Sequence, residues 1–410
     1  MLLIVGVILA LTPFAAADRA DLGVQEQVLF AFAEDEKGAY PMAGVVTDAQ
    51  GNLYGTTNLA GAGVGTVFEL SPAQGGGWMY NVLHTFNFDD GGNSRSGLLY
   101  DLSGNLYGTS SEGGASNFGT VFELSPDGSG GWSFQTIYNF NVGDGAFPAG
   151  ELISDDNGAL YGMTGAGGSS NHCNFGCGTV FQLQRNSLGQ WIENVLYSFQ
   201  GFSDGTGPIG RLVRDRAGNF YGIVGSTQCQ GGCGSVFRLH RKANGTWQKQ
   251  TVYSFSDKQH GWFPNGGLTF DGAGNLYGTT QLGGELGCNP PNGCGVVFKI
   301  NALGEESVVH SFSNHNGDGL YPGASLVLGP GSHLLGTTTQ GGHGIPNCEF
   351  GCGTVFDVTP SGKVAIVFSF GLDNGASPMA PVFWDGKGHV YGTTFEGGSG
   401  FAGTVFELTR

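Results

Sequence analysis

Short apolar runs of about four to six residues alternate with turn residues along the chain, and the same four runs return in the same order. The first ends in aspartate, as in Leu98, Leu99, Tyr100, Asp101. The second reads Leu53, Tyr54, Gly55, Thr56, Thr57. The third reads Gly65, Thr66, Val67, Phe68, Glu69, Leu70, and the fourth closes on an aromatic, as in Val82 to Phe86. The central glycine of the second run recurs at 55, 108, 162, 222, 278, 336 and 392, at intervals of 53 to 60 residues. Runs this short, rich in β-branched and aromatic residues and bounded by Gly, Asp, Asn and Pro, are strands. No capped helix-period stretch interrupts them. The link Asp48, Ala49, Gln50, Gly51, Asn52 between the first two runs predicts a tight hairpin. The aspartate can accept bonds from its own backbone two residues on, and Gly51 supplies a positive φ.

A four-stranded unit of about 56 residues used seven times is the signature of a β-propeller. The expected fold is all-β: a seven-bladed propeller with four antiparallel strands per blade, A to D from the axis outward. In this phase the chain ends on strand C of blade 7, Gly403 to Leu408. The missing strand D is expected at Val28 to Phe32, closing the ring and removing an open edge.

Composition agrees with a packed repeat. The 410 residues include 78 glycines, but also 30 Phe and 13 Tyr, which a disordered glycine-rich chain would lack. The net charge is −17 with no basic run, so nucleic acid is not an expected partner. Met1 to Leu11 is apolar and Ala15 to Ala17 form a small-residue cleavage site. Residues 1–17 therefore read as an export signal, too short to span a bilayer, with 18–410 as one domain. No later segment is apolar enough to cross a membrane, and no tail anchor is recognised before Arg410. The expected location is secreted or cell-surface, and the expected state is a monomer.

The pairing of Gly51, Asn52, Leu53, Tyr54, Gly55, Thr56, Thr57 with Gly65 to Leu70, repeated seven times, resembles the GloVer (Gloeo/Verruco) tandem repeat. The resemblance covers about residues 28–410. It implies a secreted or surface bacterial protein of propeller-like architecture, and it brings no reaction. Blade 6 departs from the pattern: Leu335 replaces the tyrosine and Gly329 the turn aspartate.

Eight cysteines form four close pairs, Cys173 with Cys177, Cys229 with Cys233, Cys288 with Cys294, and Cys348 with Cys352, all between strands B and C of blades 3 to 6. In an exported protein these are expected to be local disulfides. Zinc, with His172 beside Cys173, is the weaker alternative, because each pair sits in a different blade. The D–A loops carry acids and usually a proline. Asp204, Asp257 and Asp318 are candidate ligand-binding residues, together with the aromatics of the same loops, His260, Trp262, Phe263 and Tyr321, which could stack on a sugar. Calcium could sit among such acids, but turn chemistry accounts for them without any metal or other cofactor, and no calcium-loop motif is present. Glu151 and Arg211 occupy equivalent strand A positions and read as a salt pair near the channel. No nucleophile elbow, zinc-protease motif or phosphate loop occurs. The expectation is a binding module for a glycan or protein at the face carrying the D–A and B–C loops. The alternative is an extracellular lyase or hydrolase using carboxylates or His260 at the channel mouth.

Overall fold

The structure, a computed structural model, describes residues 23–59, 63–148, 150–225, 233–313, 315, 317–343, 348–359 and 361–409. The export segment lies outside them. Seven antiparallel sheets follow one another along the chain. Blade 1 is built from Val46–Thr47, Leu53–Thr57, Thr66–Pro72 and Trp78–Thr85 as strands A to D. The last sheet contains Phe383–Trp384, His389–Thr394 and Thr404–Thr409, and its fourth strand is the N-terminal Gln25–Ala31. Val28 pairs with Phe406 and Ala31 with Thr404, so the ring closes as the repeat phase requires. No described helix is long and apolar enough to cross a membrane.

The turn chemistry repeats as expected. Asp48 Oδ1 accepts from the Gln50 and Asn52 amides, both at 2.9 Å, and Gly51 sits at φ 87°. Asp101, Asp155, Asp215, Asp271 and Asp385 make the same pair of bonds. In blade 6, which lacks the aspartate, His333 points across the sheet instead, with Nδ1 2.8 Å from the buried Asp357 carboxylate.

Strand A is shorter than its apolar run, only two residues in six blades. In blades 3, 5 and 6 an extra segment precedes it: Ala146–Pro148, Trp262–Pro264 and Gly319–Pro322, each paired with the far end of strand B. Trp262 and Tyr321, expected in loops, therefore sit on short strands. Proline ends each segment because it donates nothing to the ladder.

The core is a closed chain of aromatic contacts. In every blade the glycine of strand B lies opposite the phenylalanine of strand C, Gly55 opposite Phe68 and Gly392 opposite Phe406. A β-carbon on Gly55 would meet the Phe68 ring at 2.5 Å. The strand D phenylalanine of each blade then packs edge-on against that ring in the next blade: Phe86 on Phe122 at 5.2 Å, Phe255 on Phe298 at 4.9 Å, Phe370 on Phe406 at 4.9 Å. Phe32 makes the closing contact with Phe68 at 5.5 Å and is fully buried. Truncating a buried phenylalanine costs roughly 3–5 kcal/mol. Phe32→Ala is therefore expected to lower the denaturation midpoint strongly, while Leu102→Ala, on an exposed turn, leaves it unchanged; guanidinium unfolding of the two variants checks this.

Candidate functional site

Strands B and C, and strands D and A, connect at the same end of each blade, so one face carries both sets of loops. Among the described residues, six D–A connections cross to their neighbour by a repeated bond. The residue before the proline, or before Ser94 in blade 2, adopts a left-handed conformation and donates its amide to the B–C loop of the preceding blade. Tyr40 donates to the Ala402 carbonyl at 2.8 Å, Phe147 to Phe118 at 2.8 Å, Tyr321 to Cys294 at 2.9 Å and Ser377 to Cys352 at 2.8 Å. The acceptor is the second cysteine of a pair at Cys177, Cys294 and Cys352.

Three of the pairs are disulfides between described residues. Cys173–Cys177, Cys288–Cys294 and Cys348–Cys352 are bridged with Cα separations of 5.2, 5.8 and 5.4 Å. Cys233 is disulfide-bonded too, and Cys229 lies outside the described residues. Oxidation removes the thiolates that zinc would need, and His172 Nδ1 instead faces the Gln200 carbonyl at 3.0 Å. Among the described residues no three His, Cys, Asp or Glu side chains converge as metal ligands.

The acids of the D–A loops are engaged locally, at the seams between blades. Asp204 accepts from the Tyr197 hydroxyl at 2.9 Å and the Gln200 amide at 2.8 Å, and pairs with Lys249 of the next blade at 3.3 Å. Asp318 accepts from the Ser313 amide and faces His310 Nε2, both at 3.1 Å. Asp257 caps a short 3-10 turn, Lys258–His260, by accepting from the Gln259 amide, and His260 Nδ1 lies 3.1 Å from its other oxygen. That amide bond, then His260, holds the Asp257 carboxyl below the usual carboxylate range. The Lys258 ammonium sits 3.9 Å above the Trp262 ring. The sequence candidates are thus distributed over three consecutive seams. Hydrogen bonds join His260 to Asp257 and Arg211 to Glu151 as separate pairs, and no described hydrogen bond unites a histidine, an arginine and a carboxylate in one cluster.

The seams follow a rule not visible in the repeat itself. The residue two before the strand D phenylalanine meets the residue six before it in the next blade. Phe30 stacks on Tyr80 at 4.0 Å and His84 on Phe134 at 3.6 Å. Where the first is tyrosine, the second is Glu193, Lys249 or Glu306. Burial, then Asp144 nearby, pushes the Glu193 carboxyl up to about 7, and burial also raises Glu306.

Phe88, Phe175, Phe202, Phe263, Phe350 and Phe401 are exposed, and all six lie in D–A or B–C connections. Of these, sequence reasoning singled out Phe263 and missed the other five. Their neighbours extend the surface: Phe118 lies 5.8 Å from Phe147 and 6.1 Å from Phe175, and His172 lies 4.8 Å from Phe202. At the opposite end the exposed large apolar residues are leucines in hairpin turns, Leu102, Leu188 and Leu303. The only signal in sequence is that these phenylalanines fall outside the four repeated runs.

Glu151 and Arg211 do meet, Oε2 to Nη1 at 3.4 Å. They face a cavity of about 230 Å³ on the propeller axis, walled by strand A residues including Val45, Leu326, Val382 and Phe383.

A closed ring of seven four-stranded blades with one aromatic, disulfide-braced face defines the molecule as a seven-bladed β-propeller. The Gloeobacter/Verrucomicrobia repeat matches residues 6–229, 173–347 and 214–410, and the chain belongs to that family. No curated protein matches the sequence. Among solved structures, the chain is similar to a polysaccharide lyase, an ulvan lyase. The two are 11% identical with a TM-score of 0.59, over 92% of this chain and 94% of that one. The same lyase bound to GlcA(1-4)Rha3S aligns at 10% identity and TM-score 0.58, covering 92% and 94%. A puromycin hydrolase aligns at 12% identity and TM-score 0.56 over 89% of this chain, which spans about half, 52%, of the hydrolase. Likeness at this level speaks for the fold alone.

Two outcomes follow from the seams and the bridges. An acid whose folded pKa is raised binds more protons when folded than unfolded, so stability falls as pH rises from the ordinary glutamate value, about 4.3, through about 7. Glu193→Gln is expected to raise the melting temperature at pH 8 and to leave it unchanged at pH 4.5, as read by scanning calorimetry. Closing a five-residue loop contributes roughly 2 kcal/mol in the chain-entropy model. Reduction is therefore expected to lower the melting temperature without unfolding the ring at 25 °C, as followed by circular dichroism.

Proposed function

We propose that this protein is an exported binding module whose D–A and B–C loop face holds a neutral glycan. One observation carries the reading: five of the six phenylalanines exposed on that face sit on costly backbone. Phe88, Phe175, Phe202, Phe263 and Phe401 all adopt positive φ, between 52° and 66°. The left-handed region costs an L-residue roughly 1–2 kcal/mol. Glycine meets the same requirement without strain, and Gly207 holds in one seam the place that Phe263 holds in the next. Rings kept exposed at such expense fit stacking against a ligand better than packing.

Charge selects among ligands. The chain carries −17 and its loop face bears aspartates, so a polyanionic chain would be repelled. A hydroxyl-rich neutral polysaccharide presents flat apolar faces to aromatic rings and no opposing charge. The apolar leader, the disulfides and the rigid seams fit an extracellular setting. A protein partner and an exported lyase or hydrolase remain the alternatives. A catalytic reading would centre on His260 and Asp257, near Glu306 and Tyr253.

The test is binding of the mature, oxidised protein to a panel of neutral and anionic glycans, with and without calcium. Binding confined to neutral glycans is expected, with the double variant Phe175→Ala and Phe202→Ala weakening it at least about tenfold, equivalent to ~1.4 kcal/mol. Phe263→Gly is expected to weaken binding while holding or raising the melting temperature, because glycine relieves the strained φ. Binding indifferent to all three phenylalanines would remove the loop face as the site.

A further inference from the structure

The axial cavity breaks the repeat in a way that neither packing nor the glycan reading uses. Its lining includes the equivalent residue of six of the seven blades, three positions after the proline or, in blade 2, after Ser94. In blades 3 and 4 that residue is Glu151 and Arg211. In the flanking blades it is Gly97 and, outside the lining itself, Gly267, and elsewhere Ser325, Pro381 and Gly44. The flanking glycines make room for the pair. A β-carbon on Gly97 would strike Glu151 Oε1 at 2.5 Å, and one on Gly267 would lie 3.4 Å from Arg211 Cγ and 2.4 Å from Ser325 Oγ.

The ion pair does not exhaust its own groups. It rests on a single 3.4 Å contact, with the Arg211 side chain 40% exposed. Arg211 Nε is buried and has no partner. Ser325 Oγ accepts the Gly267 amide at 2.8 Å, which leaves its hydroxyl proton for another acceptor. As a mere tie between blades the pair is weak. Other blades use a shorter tie there, a strand B threonine donating to the next strand A: Thr279 to the Ala324 carbonyl at 3.1 Å and Thr393 to Ala43 at 2.8 Å. Blades 3 and 4 have Met163 and Ile223 in that place.

A site with one fixed positive and one fixed negative group, an unused guanidinium donor and apolar walls matches a small molecule carrying both charges on an apolar body. We propose that the axial cavity binds a free aliphatic α-amino acid, its carboxylate on the exposed Nη edge of Arg211 and the Ser325 hydroxyl and its ammonium on Glu151. The volume, about 230 Å³, lies below the roughly 300–1,000 Å³ typical of larger ligands and suits one amino acid. This site is independent of the glycan face.

Calorimetric titration of the full mature protein with L-leucine tests it, with leucinamide, which lacks the carboxylate, and 4-methylpentanoate, which lacks the amine, as comparisons. Leucine is expected to bind at least about tenfold more tightly than either. Glu151→Gln and Ser325→Ala, each checked for an unchanged melting temperature, are expected to weaken leucine by a similar factor, and Arg211→Met to abolish it. No heat with millimolar leucine, equal binding of all three compounds, or leucine affinity unchanged in the variants would overturn the assignment and leave the pair as a tie between blades 3 and 4.

Discussion

Everything in this ring depends on a three-residue contact: a glycine on strand B, a phenylalanine ring laid across it from strand C, and a second phenylalanine set edge-on from the neighbouring blade. Glycine is unfavourable inside a strand because it leaves no side chain to pack. Here that absence is the requirement, since the ring takes the space a β-carbon would fill, 2.5 Å away at Gly55, Gly162 and Gly278. The edge-on partner always comes from the adjacent blade, so intra-blade pairing and inter-blade packing are one interaction. A blade cannot complete its own core. The N-terminal strand satisfies this rule as well, since Phe32 supplies to blade 1 what Phe86 supplies to blade 2.

Upon that uniform core the seams are individual. Phe30 on Tyr80, His84 on Phe134, Tyr197 and Asp204 with Lys249, and Asn374 donating to Glu26 at 3.3 Å occupy one structural place with different chemistry. Seven near-identical blades could in principle pair out of order, and chemically distinct seams disfavour such mispairing much as charged positions fix partner choice in coiled coils. The acidic seams carry a cost: the Glu193 carboxyl is held near Asp144 and pushed up to about 7. It is tolerated because the aromatic chain beneath it is complete.

The fold was legible because its determinants are local and repeated. Asp48, Gly51 and Gly55 each announce a turn or a packing position, and seven copies remove ambiguity. Ring closure was legible from phase alone. The short strand A was not, because a pre-proline residue in the left-handed region interrupts the ladder, and a sequence with Phe or Tyr there gives no warning. Candidate acids were chosen for their charge, yet Asp204 and Asp318 spend it on neighbouring amides, a tyrosine, a histidine and a lysine. Such partners lie in loops or adjoining blades that periodicity cannot bring together. Five of the six exposed phenylalanines were overlooked for the converse reason. A phenylalanine in a glycine-rich chain reads as core, and only the backbone angle and exposure of Phe175, Phe202 and Phe401 show otherwise.

Departures from the repeat therefore carry the functional information, and they separate into two kinds. Some leave a contact of the repeat in place: the carbonyls of Cys177, Cys294 and Cys352 accept the same D–A amide that Ala402 and Val64 accept elsewhere, and His333 faces Asp357 in blade 6 as His389 faces Glu407 in blade 7. Those that add unmet capacity are different. A phenylalanine at positive φ pointing to solvent, or a buried guanidinium nitrogen without a partner in an ion pair flanked by two glycines, costs stability and returns none within the chain. By that criterion the loop face and the axis are the two places proposed as sites, whereas Asp204, Asp257 and Asp318 of the acid loops are bonded within their own seams.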